Sequence, residues 1–78
     1  MTQPFDIELD VKGLRCPMPL LKTKQALSSL LVGQILKVLA TDKGSLRDIP
    51  AFISLSTHRL IQQDLEQDVY IFYIQKGA

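Results

Sequence analysis

Between Val11 and Leu20 the spacing of apolar residues changes, and two prolines enforce the change. Upstream, Phe5-Asp6-Ile7-Glu8-Leu9-Asp10-Val11 alternates apolar with acidic residues, the period of a half-buried strand. Lys12-Gly13 ends that run. From Pro17 onward the period is helical: Leu20, Thr23, Leu27, Leu30 and Leu31 form one stripe, with Lys22, Gln25 and Ser29 opposite. Leu21 lies off the stripe and is expected to be an exposed apolar side chain. Gly33 is a fitting helix stop. The joining stretch, Gly13-Leu14-Arg15-Cys16-Pro17-Met18-Pro19, holds the chain's single cysteine, and Pro17 and Pro19 fix its backbone setting.

The remaining segments repeat this alternation of periods. Gln34 to Thr41 is nearly continuously apolar, as in a central strand. Asp42-Lys43-Gly44-Ser45 reads as a turn, and Ser45 with Asp48 three residues on resembles a capping pair. Leu46, Ile49, Phe52, Ile53 and Ser56 mark a second helical stripe. Pro50 leaves its start open: with Ser45 as cap it bends the helix, and with Asp48 as cap it sits in the first turn. Arg59 to Leu65 and Val69 to Gln75 form a hairpin joined by Glu66-Gln67-Asp68.

The order is βαβαββ. Crossovers between parallel strands are right-handed, so two crossovers progressing the same way put both helices on one face. An α/β (α+β) two-layer sandwich is expected, with a four-stranded mixed sheet and its most apolar strands, Gln34 to Thr41 and Val69 to Gln75, in the middle. The other sheet face would be left uncovered.

Size sharpens this picture. A chain of 78 residues is a single domain, spanning 1–78, near the limit at which a core alone confers stability. One cysteine cannot form an internal bridge, so packing must hold the fold, and a lone thiol fits the reducing cytoplasm. The start, Met1-Thr2-Gln3-Pro4, lacks the basic patch and apolar run of a signal peptide, and no run reaches membrane-spanning length. A net charge of +1 without a basic cluster argues against direct nucleic-acid binding. Tyr70, Phe72 and Tyr73 therefore read as strand packing rather than as a stacking platform.

The expected topology brings Cys16 and the Asp42 to Ser45 turn to one edge, outside the carboxyl ends of the strands, where α/β sheets bind ligands. Cys16 is expected at the cap of the first helix with Pro17 at the first helical position. The helix N-terminus would then favour a thiolate. Arg15 is adjacent, and Lys43 and Arg47 approach from the neighbouring turn. His58 closes the second helix at the opposite end, out of reach for a Cys–His catalyst. One Cys and one His are too few for a protein zinc site, and a dithiol redox motif lacks its second thiol, so no metal and no cofactor are expected. No general base is in view. An accessible thiol with these surroundings describes a carrier better than a complete catalyst. A regulatory or protein-interaction module, motivated by the uncovered sheet face, is the alternative.

Asp10-x-x-Gly13-Leu14-x-Cys16-Pro17-x-Pro19 resembles the signature of the TusA/SirA family of small sulfur carriers. Asp42-x-Gly44-Ser45-x-Arg47-Asp48-Ile49-Pro50-Ala51-Phe52 is similar to that family's second block, and the resemblance runs from about Phe5 to Gly77. His58 falls where the family commonly has histidine, with Thr57 before it in place of a frequent glycine. The resemblance implies that Cys16 accepts a sulfane sulfur as a persulfide, with Gly13, Arg15, Pro17 and Pro19 supporting the helix start. It also implies a cysteine desulfurase or rhodanese-like donor and an acceptor protein leading to tRNA 2-thiouridine, molybdenum cofactor or related sulfur trafficking. Leu21, Lys22, Lys24, Asp42, Lys43 and Arg47 are then the expected partner contacts.

Overall fold

The computed structural model describes residues 3–78; Met1 and Thr2, part of the start read above as lacking a leader, lie outside the described residues. Six elements follow in the expected order: β1 (Ile7–Val11), α1 (Met18–Ser28), β2 (Ile35–Ala40), α2 (Ser45–Ser54), β3 (Arg59–Glu66) and β4 (Val69–Gln75). They build one four-stranded mixed sheet in the order β1-β2-β4-β3. Strand β1 runs parallel to β2, β4 is antiparallel to β2, and β3 is antiparallel to β4. Both crossovers thus move the same way across the sheet, and the two most apolar strands, β2 and β4, occupy the centre.

Register explains why both helices share one face. Val11 stands beside Ala40, Val38 beside Phe72 and Leu36 beside Ile74. All six of these side chains are buried, in a single cluster with Leu27 of α1 and Ile49 and Ile53 of α2. Because side chains alternate across a strand, Lys37, Leu39, Ile71 and Tyr73 point the other way. That second face carries no helix, yet it is not bare: Tyr73 is 3% exposed and Ile71 4%. The alternation of β1 stops at Ile7, because Asp6 is tied to Ile35 through its carboxylate and its own N–H. Phe5 therefore escapes the strand's parity and packs its ring against Tyr73, with 6.4 Å between centroids. Lys37 lies 5.0 Å from the centre of the Phe5 ring and pairs with Glu8, its neighbour across the β1–β2 register. These long side chains shield the face expected to be uncovered.

Several local expectations are corrected. Helix α1 ends at Ser28, so Leu31 lies outside it and is 72% exposed. The Lys76 ammonium donates to the Leu27 carbonyl at 2.7 Å, closing the helix with a cation where its dipole is negative. Gly33 (φ +94°) instead serves the turn into β2, where Gln34 N–H donates to Leu31. Pro50 lies inside α2, whose cap is Gly44; Ser45 makes no capping bond, and its hydroxyl is buried without a partner among the described residues. The β3–β4 connection is two residues, not three: Gln67 and Asp68 both have positive φ, the geometry of a hairpin turn twisted to match its strands.

His58 precedes β3, at the sheet end marked by the Arg59–Gln75 and Ile35–Gln75 pairs. Its Nδ1 accepts the Gly77 N–H at 3.0 Å, and its ring lies 5.9 Å from that of Phe52. Burial, with Lys76 nearby, holds the imidazole below its ordinary pKa. The unfolded chain therefore takes up this proton first as the pH falls. The contribution of neutral His58 to stability is complete above its unfolded pKa of about 6.5 and is lost as the pH drops through the lower folded value. Urea midpoints measured from pH 7.5 down to about pH 5 should fall more steeply for the wild type than for His58→Gln; parallel curves would contradict this.

Candidate functional site

The carboxyl ends of β1 and β2 bring two loops together. Leaving β1, the Asp10 carboxylate accepts the Lys12 N–H at 2.9 Å, and Leu14 N–H donates to Val11. Gly13 occupies the third position of this turn at φ +83°, a conformation that L side chains rarely adopt. Its N–H donates to Thr41 Oγ1 at 2.9 Å, pinning the cysteine loop to the end of β2. Arg15 and Cys16 follow, both exposed, and the Cys16–Pro17 peptide is cis.

The start of α1 differs from the expected one. Helical residues begin at Met18 with Pro17 as cap, so Cys16 lies one position further out. Of the backbone positions 17 to 20, two are prolines without an N–H, and Met18 donates to Arg15 at 2.8 Å. Pro19 is buried and anchors the first turn, where its carbonyl also accepts the Thr23 hydroxyl. The prolines that shape this junction thus also remove two of these four amides, and Met18 commits a third.

What faces the sulfur is a carboxylate. Cys16 Sγ donates to Asp48 Oδ2 at 3.1 Å, across 32 residues of sequence. The other oxygen, Oδ1, accepts Arg47 Nε at 3.1 Å. The hydrogen bond from Sγ to Asp48 pushes the Cys16 thiol above its ordinary pKa; desolvation and the negative charges of Asp48 and Asp42 act the same way, and Arg47 opposes them. Asp48 is held below the usual carboxylate range by the same thiol contact and by Arg47. These surroundings favour the protonated thiol rather than the helix-stabilised thiolate expected from the sequence. Asp48, read there as a capping residue of the second helix and as part of the second family block, is the partner of the sulfur that sequence reasoning missed. Its signal was the topology, which brings the start of the second helix to the edge occupied by Cys16.

Gly44 makes this approach close. A Cβ there would lie 2.8 Å from Asp42 Oδ2, 3.3 Å from Cys16 Cβ and 3.6 Å from Sγ. Asp42 Oδ2 accepts the Gly44 N–H at 3.1 Å, which holds the second carboxylate beside the cysteine. Gly44→Ala should leave the fold standing, because Asp42 can swing aside, with a stability change of about 1 kcal/mol or less. It should nonetheless lower the reaction rate of Cys16 with a protein partner several-fold; an unchanged rate would show that this packing is immaterial.

The other expected contacts lie on α1 and on the loop and start of α2. Leu21 (42% exposed) and Lys22 are exposed on α1, and Met18, Leu14 and Leu46 add partly exposed apolar surface on the elements flanking Cys16. Lys24 turns toward α2, its ammonium 5.0 Å from the centre of the Phe52 ring. Lys43 is exposed, and its backbone carbonyl accepts the Leu46 N–H. Arg47 is the cation whose charge reaches the thiol. His58 lies at the far end of the sheet.

The chain matches the family model described as sulfurtransferase TusA over residues 7–76. A Bacillus subtilis (strain 168) relative, YrkI, is 50% identical over 72 residues, covering 92% of this chain and 96% of that protein. The sulfur carrier protein TusA of Allochromatium vinosum is 42% identical, covering 94% of this chain and 96% of that one. That of Pseudomonas paraeruginosa is 41% identical over 78 residues, covering 100% of this chain and 99% of its own. A crystal structure of a SirA-like protein from Desulfitobacterium hafniense superposes with a TM-score of 0.82. It covers 94% of this chain and all of that one, and at 23% identity it speaks to the fold alone.

Proposed function

We propose, from the fact that this chain belongs to the TusA sulfurtransferase family, that it is a sulfur carrier whose reactive group is Cys16. The observation that carries this reading is an exposed free thiol at the carboxyl edge of the sheet, with Asp48 on its sulfur. In loading, the Cys16 sulfur attacks the sulfane sulfur of a donor persulfide. The donor S–S bond breaks, its electron pair stays on the donor thiolate, and the Cys16 proton is released. In delivery, an acceptor thiolate attacks the outer sulfur and Cys16 leaves, regaining a proton. No net oxidation occurs in either step.

The donor in this reading is a cysteine desulfurase or rhodanese-like protein. The acceptor is a second protein, serving tRNA 2-thiouridine, molybdenum cofactor or related sulfur trafficking. Leu21, Lys22, Lys24, Asp42, Lys43 and Arg47 are the partner contacts in this reading, with Asp42 and Arg47 those whose charges act on the thiol, while Gly13, Arg15, Pro17 and Pro19 support its loop. A lone exposed thiol persists best in a reducing compartment, so the carrier is assigned to the cytoplasm. The test is intact-mass analysis after incubation with a cysteine desulfurase and cysteine. A mass gain of one sulfur atom, removed by reductant and mapped to Cys16, is expected. No gain across several desulfurases would refute the reading.

A further inference from the structure

We propose that Asp48 is a latch on Cys16: its carboxylate holds the thiol proton in the unloaded carrier and keeps the sulfur a weak nucleophile until a partner docks. This rests on Cys16 being the sulfur-carrying residue. The geometry is direct, a 3.1 Å hydrogen bond from Sγ to Oδ2, and Asp48 is itself steadied by Arg47 on Oδ1. Every charged group shown to act on the sulfur belongs to the neighbouring loop and helix. Asp42 lies in the turn before α2, Arg47 and Asp48 lie in its first turns, and two of these three are acidic. Arg15 lies on the cysteine's own loop, and it is exposed.

Thiolate, not thiol, attacks a persulfide. A free carrier with this latch resists adventitious alkylation and oxidation. A docking partner releases it by drawing Asp48 into a new ion pair or by pulling Arg47 closer to the sulfur. Loading then reverses the contact. A persulfide anion has no proton to give Asp48 and meets two carboxylates instead of one hydrogen bond, so the outer sulfur is turned toward solvent and the acceptor. The latch therefore favours thiol in the empty state and an outward sulfur in the filled state.

Alkylation of the whole protein by iodoacetamide across pH tests this without any sulfur partner. Asp48→Asn should alkylate several-fold faster than wild type near neutral pH, with its rate–pH midpoint displaced downward, and Asp48→Glu should move back toward wild type. Arg47→Ala, which removes the opposing cation, should displace the midpoint upward. Far-UV circular dichroism and melting of each variant confirm that the fold is retained; if Asp48→Asn does not fold, the Arg47→Ala profile decides. A profile for Asp48→Asn that overlays wild type or moves upward overturns the latch, as does a downward displacement for Arg47→Ala. Failure of the carrier reading is a separate result: wild type would then take up no sulfur from a desulfurase, whatever its alkylation profile.

Discussion

Replacing Cys16 by serine should abolish sulfur loading completely while leaving the fold intact. Cys16 is exposed and belongs to no part of the buried cluster, so no core contact is lost. A serine hydroxyl is an adequate donor to the Asp48 carboxylate, so the link between the α1 loop and α2 has a replacement. Surface changes of this kind alter stability by about 0.5 kcal/mol or less. The chemistry has no replacement, because an alkoxide is inaccessible near neutral pH and does not store sulfane sulfur. Intact mass after exposure to a loaded donor should therefore show no adduct on Cys16→Ser, against a reducible one-sulfur adduct on wild type. An adduct on the variant would mean that another group carries the sulfur. Retained biological effect and partner binding in a folded Cys16→Ser protein would instead support an interaction module.

Phe72→Ala should have the largest effect on stability. Phe72 lies on β4 between Val38 of β2 and Gln63 of β3, is 0% exposed, and heads the fully buried side chains by volume. Both helices and the two central strands contribute to the cluster around it. Truncating a buried phenylalanine removes transfer energy and leaves a cavity, together costing about 3–5 kcal/mol. A domain of 78 residues has a total stability of roughly 4–12 kcal/mol at about 0.05–0.15 kcal/mol per residue. Most of the margin would go, and with one cysteine there is no disulfide to compensate. Urea denaturation followed by circular dichroism should show a collapsed midpoint or no folded baseline at 25 °C. A wild-type midpoint would contradict the assignment of Phe72 to the centre of the core.

Periodicity made much of this architecture readable in advance. The acidic-apolar alternation of β1 and the apolar runs of β2 and β4 follow directly from which faces the sheet buries. Thr23 and Leu27 are buried and Lys22 and Gln25 exposed, because a helix with one buried stripe sorts its residues by angle. The pattern misplaced residues where the helix had already stopped or where a partner lay elsewhere in the chain. Leu31 continued the stripe of α1 on paper, but the chain leaves the helix after Ser28. Tyr73 read only as strand packing, and its cover on the helix-free face comes from Phe5 and Lys37, residues before and within the neighbouring strands.

Cys16 shows the same division at the site. Its place between a strand and a helix, beside Pro17 and Pro19, is a local property of consecutive residues and was legible from them alone. Its protonation state was not. A helix start that opens with two prolines and a committed Met18 amide has little left to offer an anion, while a carboxylate 32 positions away comes within 3.1 Å. That approach depends on how α2 lies over the sheet, and on Gly44 leaving room for it. The sequence by itself determined the order of elements and the position of the thiol, since both follow from short-range periodicity and proline geometry. Only the tertiary structure decided that a carboxylate faces the sulfur and favours its protonated form, because electrostatic effects on sulfur depend on distance through space rather than along the chain.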